Sequence, residues 1–148
     1  MEQSIEGVKI VSMREIIDPK GSVLHFFRND DADFSAFGEC YFSEVKPGVV
    51  KAWKLHQIQT QNFIVPVGKI KLVLCDLREN SKSHGLVSVI ELGRPDCYSR
   101  IKIPSGIYYG FQGISKETAL IVNFTDTPHD PKESTKLDQN DVKIPYVW

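Results

Sequence analysis

The chain has 148 residues with 18 basic and 19 acidic side chains, so its length predicts one domain over residues 1–148 and its charge is nearly balanced. Balanced charge gives no reason to expect nucleic acid or an anionic membrane as a partner. No apolar run approaches the roughly 18 residues of a membrane span, so we expect a soluble, cytoplasmic protein. Cys40, Cys75 and Cys97 lack metal-site spacing, which predicts reduced and mostly buried thiols.

The first part of the chain predicts two short β segments followed by a loop. Residues 8–13 and 21–28 have strand-like composition, and the turn at Asp18–Gly21 between them predicts a hairpin-like opening. The next stretch, NDDADFSAFGE, is polar and acidic. We expect a surface loop there, with Phe34 and Phe37 anchored in the core.

Seven strand-length runs follow, separated by turns rich in glycine and proline: ECYFSEV, VVKAWKL, NFIVPV, KIKLVLCDL, LVSVIEL, YSRIKIP and ALIVNF. None of them has a sustained helical period with caps. The pattern therefore predicts an all-β fold, a small jelly-roll barrel or sandwich with little helix. In KIKLVLCDL the alternation places Ile70, Leu72 and Leu74 on one face, which predicts a strand with one dry side.

The stretch after Phe124 is rich in proline, aspartate and lysine, which denies it a long helix or a central strand. Its end is apolar again, with Ile144, Tyr146 and Trp148. A free tail would leave Trp148 in water. We therefore expect this end to pack against the body of the protein or against a partner subunit.

The segment Gly48–Gly68 has the residue spacing of one half of a cupin metal site, with different chemistry at the ligand positions. Lys54, His56 and Gln61 stand where two histidines and a glutamate would bind the metal. Tyr109 stands at the histidine of the second half, in IPSGIYYGFQG. One imidazole among an ammonium, an amide and a phenol does not make a zinc or iron site. Although the spacing resembles that of metal-binding cupins, we predict that this site binds no metal and no cofactor.

Five motifs occur along the chain in a defined order: DPKGSVLHFF, GVVKAWKLH, VGKIKLVLCDLRENSKSHG, IPSGIYYGF and TDTPHDP. In this order they resemble the dTDP-4-dehydrorhamnose 3,5-epimerase family of jelly-roll cupins. The resemblance covers most of the chain, which is identified as a diverged member of that family. It implies a metal-free cupin that acts on nucleotide-linked 4-keto sugars.

The resemblance also implies a histidine base, an aspartate that orients it and a tyrosine acid, and these positions are changed. Lys54 occupies the position of the family's histidine, and His56 occupies that of a glutamine two residues later. Because the two positions have the same parity on a strand, both side chains are predicted to enter one cavity. Thr127, Pro128 and His129 replace the tyrosine motif, and the segment with the orienting aspartate is predicted to be absent.

Four residues are therefore the candidates for catalysis: His56, Lys54, Tyr109 and His129. A lysine that loses hydration in a barrel interior favours its neutral form, so Lys54 could act as the base. A charged Lys54 could instead stabilise an enolate and leave His56 as the base. The residues alone leave both assignments open.

Four residues are candidates for substrate binding: Lys20, Arg28, Lys51 and Gln61. In the resemblance, Lys20 and Lys51 stand at arginines that contact a diphosphate, and they keep the charge without the bidentate geometry. Gln61 stands near a lysine that faces the keto sugar. The hairpin with Lys20 resembles a segment that crosses a two-fold interface, which implies a homodimer. The implied ligand is a nucleoside-diphosphate sugar, dTDP-linked.

The favoured function is an isomerase, an epimerase or ketoisomerase of a nucleotide-linked deoxy-keto sugar in surface-polysaccharide or secondary-metabolite biosynthesis. It would remove a proton next to the carbonyl. Full 3,5-epimerisation is not expected, because base, acid and orienting carboxylate are all changed. The alternative is a catalytically degenerate cupin that binds a sugar nucleotide without enzymatic activity. A metal-dependent cupin oxygenase or phosphosugar isomerase is disfavoured by the lost ligands.

Overall fold

The computed structural model describes residues 4–148, and the regular structure within them is almost entirely β. The strands are β1 Lys9–Ser12, β2 Glu15–Ile16, β3 Val23–Leu24, β4 Glu39–Val45, β5 Val50–His56, β6 Gln61–Val67, β7 Lys69–Asp76, β8 Val87–Gly93, β9 Ser99–Ile103, β10 Ile107–Gly113, β11 Ala119–Thr125 and β12 Ser134–Lys136. A single 3₁₀ turn of helix, η1, spans Pro131–Glu133. In the described range no helix is long and apolar enough to cross a bilayer.

Two five-stranded antiparallel sheets carry the fold. The first has the strand order β1-β9-β6-β11-β4, and the second has the order β12-β5-β10-β7-β8. Consecutive strands such as β6 and β7 lie in different sheets, which is the connectivity of a jelly-roll sandwich. The predicted all-β jelly roll with little helix is confirmed.

Apolar side chains fill the space between the sheets over much of its length. Strand β7 contributes Ile70, Leu72 and Leu74, each 0% exposed, on the face that the alternation predicts. They belong to one cluster with Phe63 and Ile101 of the opposite sheet. Close packing of these branched side chains from both sheets forms the dry core.

The outer face of the second sheet is covered as well, so the prediction of a single dry side for β7 is wrong. Val73 and Cys75 point to that face and are 0% exposed. The C-terminal segment crosses them, with Ile144 only 3% exposed and the Trp148 ring centroid 5.1 Å from that of Trp53. This confirms that the C-terminal end packs against the body of the protein.

The N-terminal strands pair differently from the prediction. Strand β1 pairs with β9, with Ile10 opposite Ile101, so it is not available to pair with the segment that follows the turn. The hairpin is instead a small one between β2 and β3. The Asp18–Gly21 turn lies between those two strands, and the Asp18 carboxylate accepts the Lys20 N–H at 2.8 Å.

The loop between β3 and β4 lies on the outer face of the first sheet. Phe34 is partly buried, with its ring centroid 6.2 Å from that of Phe124. Phe37 also contacts Phe124, but it is 63% exposed, so the prediction that it is a core anchor is wrong. The loop is held more firmly by Arg100, which is 1% exposed and donates to Asp33 at 2.9 Å.

The three cysteines lie in different environments. Cys75 is buried, Cys97 is half-buried and Cys40 is exposed. Cys40 lies on β4, the edge strand of the first sheet, and its side chain alternates away from the sandwich interior. The prediction of mostly buried thiols is therefore wrong for Cys40.

Candidate active site

A cavity of about 320 Å³ lies between the two sheets, lined by strands of both. Aromatic rings form much of its wall, including those of Phe63 and Phe111. Three lysines also line it: Lys51, Lys54 and Lys136. An apolar cavity of this volume with a few polar groups is typical of a small-molecule site, and the lysines favour an anionic ligand.

Strand β5 carries three of the predicted site residues, Lys51, Lys54 and His56. Lys54 lies opposite Tyr109 of β10, and the pairing shifts register next to this position, so that Lys51 lies opposite Phe111. Because of that shift, Lys51 and Lys54 both line the cavity although their positions differ in parity. Leu55, between Lys54 and His56, packs in the outer cluster on the opposite face.

His56 lies deeper than Lys54 and reaches the cavity only through Tyr109. The imidazole is 3% exposed, and its Nε2 is 3.1 Å from Tyr109 Oη. The two rings are nearly parallel, with centroids 5.9 Å apart. Tyr109 lines the cavity. Of the two side chains predicted to enter it, only Lys54 does so directly.

A carboxylate orients His56 from the other side. Nδ1 of the imidazole is hydrogen-bonded to Oε1 of Glu133, and Oε2 of Glu133 accepts the N–H groups of Ile58 at 3.0 Å and Gln59 at 3.2 Å. Glu133 is the last residue of η1 and is 7% exposed. The predicted absence of an orienting carboxylate is wrong, because η1 supplies Glu133 from just before β12.

Burial sets the protonation states of this chain of groups. Burial, followed by the charges of Lys54 and His129, lowers the pKa of His56 despite the opposing effect of Glu133, so the imidazole is neutral at pH 7. Burial raises the pKa of Glu133, but the hydrogen bonds from His56 and from two amides outweigh it, so the net pKa is lowered. Burial also raises the pKa of Tyr109, which stays a phenol. A carboxylate can only accept, so Nδ1 carries the imidazole proton and Nε2 accepts from Tyr109.

The lysines of the cavity differ in their contacts. Lys51 Nζ donates to Ser43 Oγ and to the Glu44 carbonyl, both at 3.1 Å. Lys136 of β12 lies opposite Lys54 of β5. Burial, and then the charge of Lys136, lower the pKa of Lys54. An anionic ligand group in the cavity would relieve this repulsion between like charges.

A second chain of hydrogen bonds runs through amide side chains to the cavity. Gln59 Nε2 donates to the Thr127 carbonyl at 2.5 Å, and Gln61 Nε2 donates to Gln59 Oε1 at 2.6 Å. Asn123 Nδ2 donates to Gln61 Oε1 and, at 2.9 Å, to Tyr41 Oη. Tyr41 and Asn123 line the cavity. Gln61, predicted to contact substrate, is 1% exposed and reaches the cavity only through Asn123.

The remaining predicted residues do not line the cavity of their own chain. Lys20 lies in the exposed turn between β2 and β3. Arg28 forms an exposed ion pair with Asp30 at 2.6 Å. His129 is exposed and lines a separate hollow of about 470 Å³ together with Glu133.

Four residues of the site were missed from the sequence: Tyr41, Asn123, Glu133 and Lys136. Asn123 gave a signal, because it is a polar residue at an inward position of the apolar strand β11. Glu133 gave a misleading one. It follows Asp130 at the spacing of a capping box, which predicts a contact with its own helix start rather than with a distant histidine.

Within residues 4–148, no group of three or more His, Cys, Asp or Glu side chains is placed to hold a metal ion. The lysines, tyrosines and amides of the cavity are poor ligands for first-row metals. Independence of a metal and of a cofactor stays a prediction.

Three comparisons with known proteins bear on this site. A structure of a dTDP sugar isomerase from Desulfovibrio desulfuricans has a TM-score of 0.95 and 46% identity, covering 97% of this chain and 92% of that chain. A spore coat polysaccharide biosynthesis protein of Bacillus subtilis is 30% identical over 97% of this chain and 96% of its own length. A probable low-salt glycan biosynthesis epimerase of Haloferax volcanii is 29% identical over 97% of this chain and 89% of its own length.

The sequence profile of one protein family matches nearly the entire chain. Its sequence profile, dTDP-4-dehydrorhamnose 3,5-epimerase, matches residues 2–148. The family predicted from the five motifs is confirmed, and it supports an isomerase-type enzyme. The protein belongs to the dTDP-4-dehydrorhamnose 3,5-epimerase family.

Proposed function

We propose that this protein is an epimerase or ketoisomerase of a nucleotide-linked deoxy-keto sugar, acting in the cytoplasm in surface-polysaccharide or secondary-metabolite sugar biosynthesis. One observation carries the proposal: the buried chain Glu133–His56–Tyr109 ends in a cavity lined by lysines. A neutral imidazole held by a carboxylate is a proton acceptor. A sugar carbon next to a carbonyl is acidic enough to lose its proton to such a group.

Lys54 has the complementary role in this proposal. Loss of the proton leaves an enolate, and a positive charge near its oxygen lowers the barrier. Lys54 lines the cavity and lies opposite Tyr109, where the proton-accepting chain ends. Of the two assignments that the residues left open, we therefore place the base on the His56 side and the enolate-stabilising charge on Lys54.

The proposal limits the reaction to one carbon. Full 3,5-epimerisation would require proton removal and return at two carbons. Among the described residues, one carboxylate–imidazole pair is connected to the cavity, through Tyr109, and His129, which replaces the family's tyrosine motif, lines a separate hollow. A single proton relocation next to the carbonyl needs only one such pair.

The proposed ligand is a dTDP-linked sugar whose ring occupies the cavity. Lys51 and Lys136 line the same cavity and supply positive charge for the diphosphate. The closely similar isomerase from Desulfovibrio desulfuricans is named for a dTDP sugar, which supports this choice of nucleotide.

We also propose a homodimer in which Lys20 and Arg28 act outside their own cavity. The β2–β3 hairpin leaves apolar side chains in contact with solvent in the monomer, with Ile17 71% and Val23 58% exposed. A two-fold interface would cover them and would bring Lys20 towards the cavity of the partner subunit. Light scattering should then give about twice 16.8 kDa, and a monomer at micromolar concentration would contradict the dimer.

The function is tested by incubating purified protein with dTDP-linked 4-keto-6-deoxy sugars in deuterium oxide and following each carbon by NMR. We expect deuterium to enter at one carbon next to the carbonyl. Rapid entry at both C3 and C5 with a rhamnose-type product would contradict the one-carbon limit. Tight binding without any exchange would indicate a sugar-nucleotide-binding protein without enzymatic activity. Metal independence is tested separately by elemental analysis, and one equivalent of metal per chain would contradict it.

A further inference from the structure

We infer that the cavity holds two tyrosines of opposite hydrogen-bond polarity, Tyr109 as the proton acceptor and Tyr41 as the proton donor, arranged to invert one sugar carbon. The inference rests on the proposed function and deepens it, since it names the atoms that exchange protons with the sugar. It is carried by two hydrogen-bond chains, each of which begins at a group that can only accept.

The first chain makes Tyr109 an acceptor towards the cavity. It begins at the Glu133 carboxylate, which accepts the Nδ1 proton of His56. Nε2 of His56 then has only a lone pair, so the Tyr109 hydroxyl, 3.1 Å away, must donate to it. The phenol proton is thereby turned inward, and the lone pairs of Tyr109 Oη face the cavity that its ring lines.

The second chain makes Tyr41 a donor. It begins at the Thr127 carbonyl, which has no proton, so the Gln59 amide nitrogen must face it and Gln59 Oε1 is left to accept from Gln61. Gln61 Oε1 in turn accepts from Asn123 Nδ2. The second proton of Nδ2 is donated to Tyr41 Oη at 2.9 Å.

An independent contact fixes the same orientation of Asn123. Its Oδ1 accepts the main-chain N–H of Asn62 at 3.3 Å, so Nδ2 is the atom that faces Tyr41. Because Tyr41 Oη already accepts from Asn123, the hydroxyl proton of Tyr41 points elsewhere. Tyr41 lines the cavity, and that proton is therefore available to a ligand in it.

The two tyrosines come from opposite walls. Tyr41 lies on β4 of the first sheet and Tyr109 lies on β10 of the second sheet. A sugar ring between the sheets would meet an acceptor on one face and a donor on the other. This arrangement suits inversion of configuration, in which the proton leaves one face and a proton arrives at the opposite face.

The proton movements balance. The C–H bond next to the carbonyl breaks, its proton goes to Tyr109 Oη, and the Tyr109 proton moves to His56 Nε2, so no phenolate forms there. The C–H electron pair becomes the C=C bond of an enolate whose oxygen faces the Lys54 ammonium. The enolate carbon then takes the Tyr41 proton on its other face, and the carbonyl is restored.

The site is reset after product leaves. Tyr41 remains as a phenolate, and because it is 37% exposed it regains a proton from water. Burial raises the pKa of the Tyr41 phenol, which favours that return. The His56 imidazolium gives its proton back through Tyr109 to water in the emptied cavity.

Tyr41→Phe separates the two halves of the reaction. It leaves the acceptor chain intact, so exchange of the carbon-bound hydrogen with deuterium oxide should persist with retained configuration, while inversion falls by roughly 10²–10⁴. Tyr109→Phe should suppress both exchange and inversion by a similar factor. A change in the ratio of exchange to inversion is not expected from a purely structural effect.

Asn123→Asp tests the polarity of the second chain without removing either tyrosine. A carboxylate at position 123 can only accept, so the Tyr41 hydroxyl would turn towards it and its proton would be lost to the ligand. We expect inversion to fall as in Tyr41→Phe while exchange persists. Tyr146→Phe is the matched control, because it removes a phenol hydroxyl in the outer cluster, and it should match the native protein in both readouts.

The outcomes distinguish the inference from the proposed function. Native protein that exchanges hydrogen with none of the sugars would contradict both. Native protein that inverts a carbon, with Tyr41→Phe doing so within about threefold of the native rate, would overturn the tyrosine pair alone. Native protein that moves hydrogen without inverting any carbon would likewise overturn it. Thermal melting of each variant shows whether it is folded, and Asn123→Asp provides the test if Tyr41→Phe does not fold.

Discussion

The two ends of the space between the sheets are enclosed by the same two sheets and differ in what fills them. At the dry end, Leu72 and Leu74 of β7 are 0% exposed and contact apolar neighbours. At the cavity end, His56, Gln61 and Asn123 are 3%, 1% and 1% exposed, yet they are polar. A buried polar group left without a partner costs about 1–3 kcal/mol.

The cavity end avoids that cost by connecting its polar groups in sequence. Each amide or imidazole in the two chains is held by at least one neighbour, and each chain starts at an acceptor fixed by the backbone or by η1. Connected polar groups have fewer possible orientations than isolated ones. The dry end therefore provides stability, whereas the buried polar groups of the cavity end orient protons.

Substitutions that break the Glu133–His56–Tyr109 chain should reduce activity most. His56→Asn should lower the exchange rate by roughly 10²–10⁴, the usual worth of a general base, because the proton from Tyr109 would lose its acceptor. Glu133→Gln should lower it less, since the imidazole remains but its orientation and the charge partner are weakened. Single-turnover NMR in deuterium oxide measures both. Native-like exchange in His56→Asn would move the base elsewhere.

The next effect concerns stability and should leave chemistry unchanged. Leu92→Ala removes a side chain of β8 that is 1% exposed, on the side of the core away from the cavity, and should lower the free energy of unfolding by about 2–5 kcal/mol. Urea denaturation measures this loss. The rate per folded molecule should stay within about twofold of native, and a loss of activity as large as that of His56→Asn would show that the two ends are not separate.

A smaller effect is expected at the lysines of the cavity. Lys51→Ala should weaken binding of dTDP on the order of tenfold, since a charge-assisted contact is worth roughly 1.5–3 kcal/mol. Calorimetry measures the affinity. Lys116→Ala is the matched control, because Lys116 lies in the loop between β10 and β11, outside the cavity. Equal affinities of Lys51→Ala and native protein would contradict this placement of the diphosphate.

The smallest effect is the pH response near neutrality. His56 must be neutral to accept a proton, and burial lowers its pKa below the ordinary 6.5. Activity should therefore decrease as the pH is lowered. Between pH 7.5 and pH 6.5 the decrease should be less than about twofold, because more than half of the imidazole is still neutral at pH 6.5. At alkaline pH the rate should decrease as Lys54 loses its charge. The midpoint of this decrease should lie below pH 10.5, since burial lowers the pKa of Lys54 from that value. An acid limb centred above pH 6.5 would contradict the assigned state of His56.

Much of the fold could be predicted because strand alternation is local. The dry face of β7 and the apolar C-terminal end follow from residue type and parity alone. The pairing of β1 could not, because its partner β9 lies almost ninety residues away along the chain, and no local pattern specifies that register. Phe37 was misplaced for the same reason, since a loop phenylalanine can pack on either surface of a cluster.

The jelly roll, the family and the placement of Lys54 at a cavity could be predicted from the sequence, since these depend on alternation and on motifs of consecutive residues. Which side chains meet at the cavity depends on how distant parts of the chain fold together. Glu133 reaches His56 across 77 positions of sequence, and Asn123 reaches Tyr41 across 82. Whether each group donates or accepts a proton depends on all its partners along the hydrogen-bond chain. Folding brings those partners together, so no single residue specifies the direction.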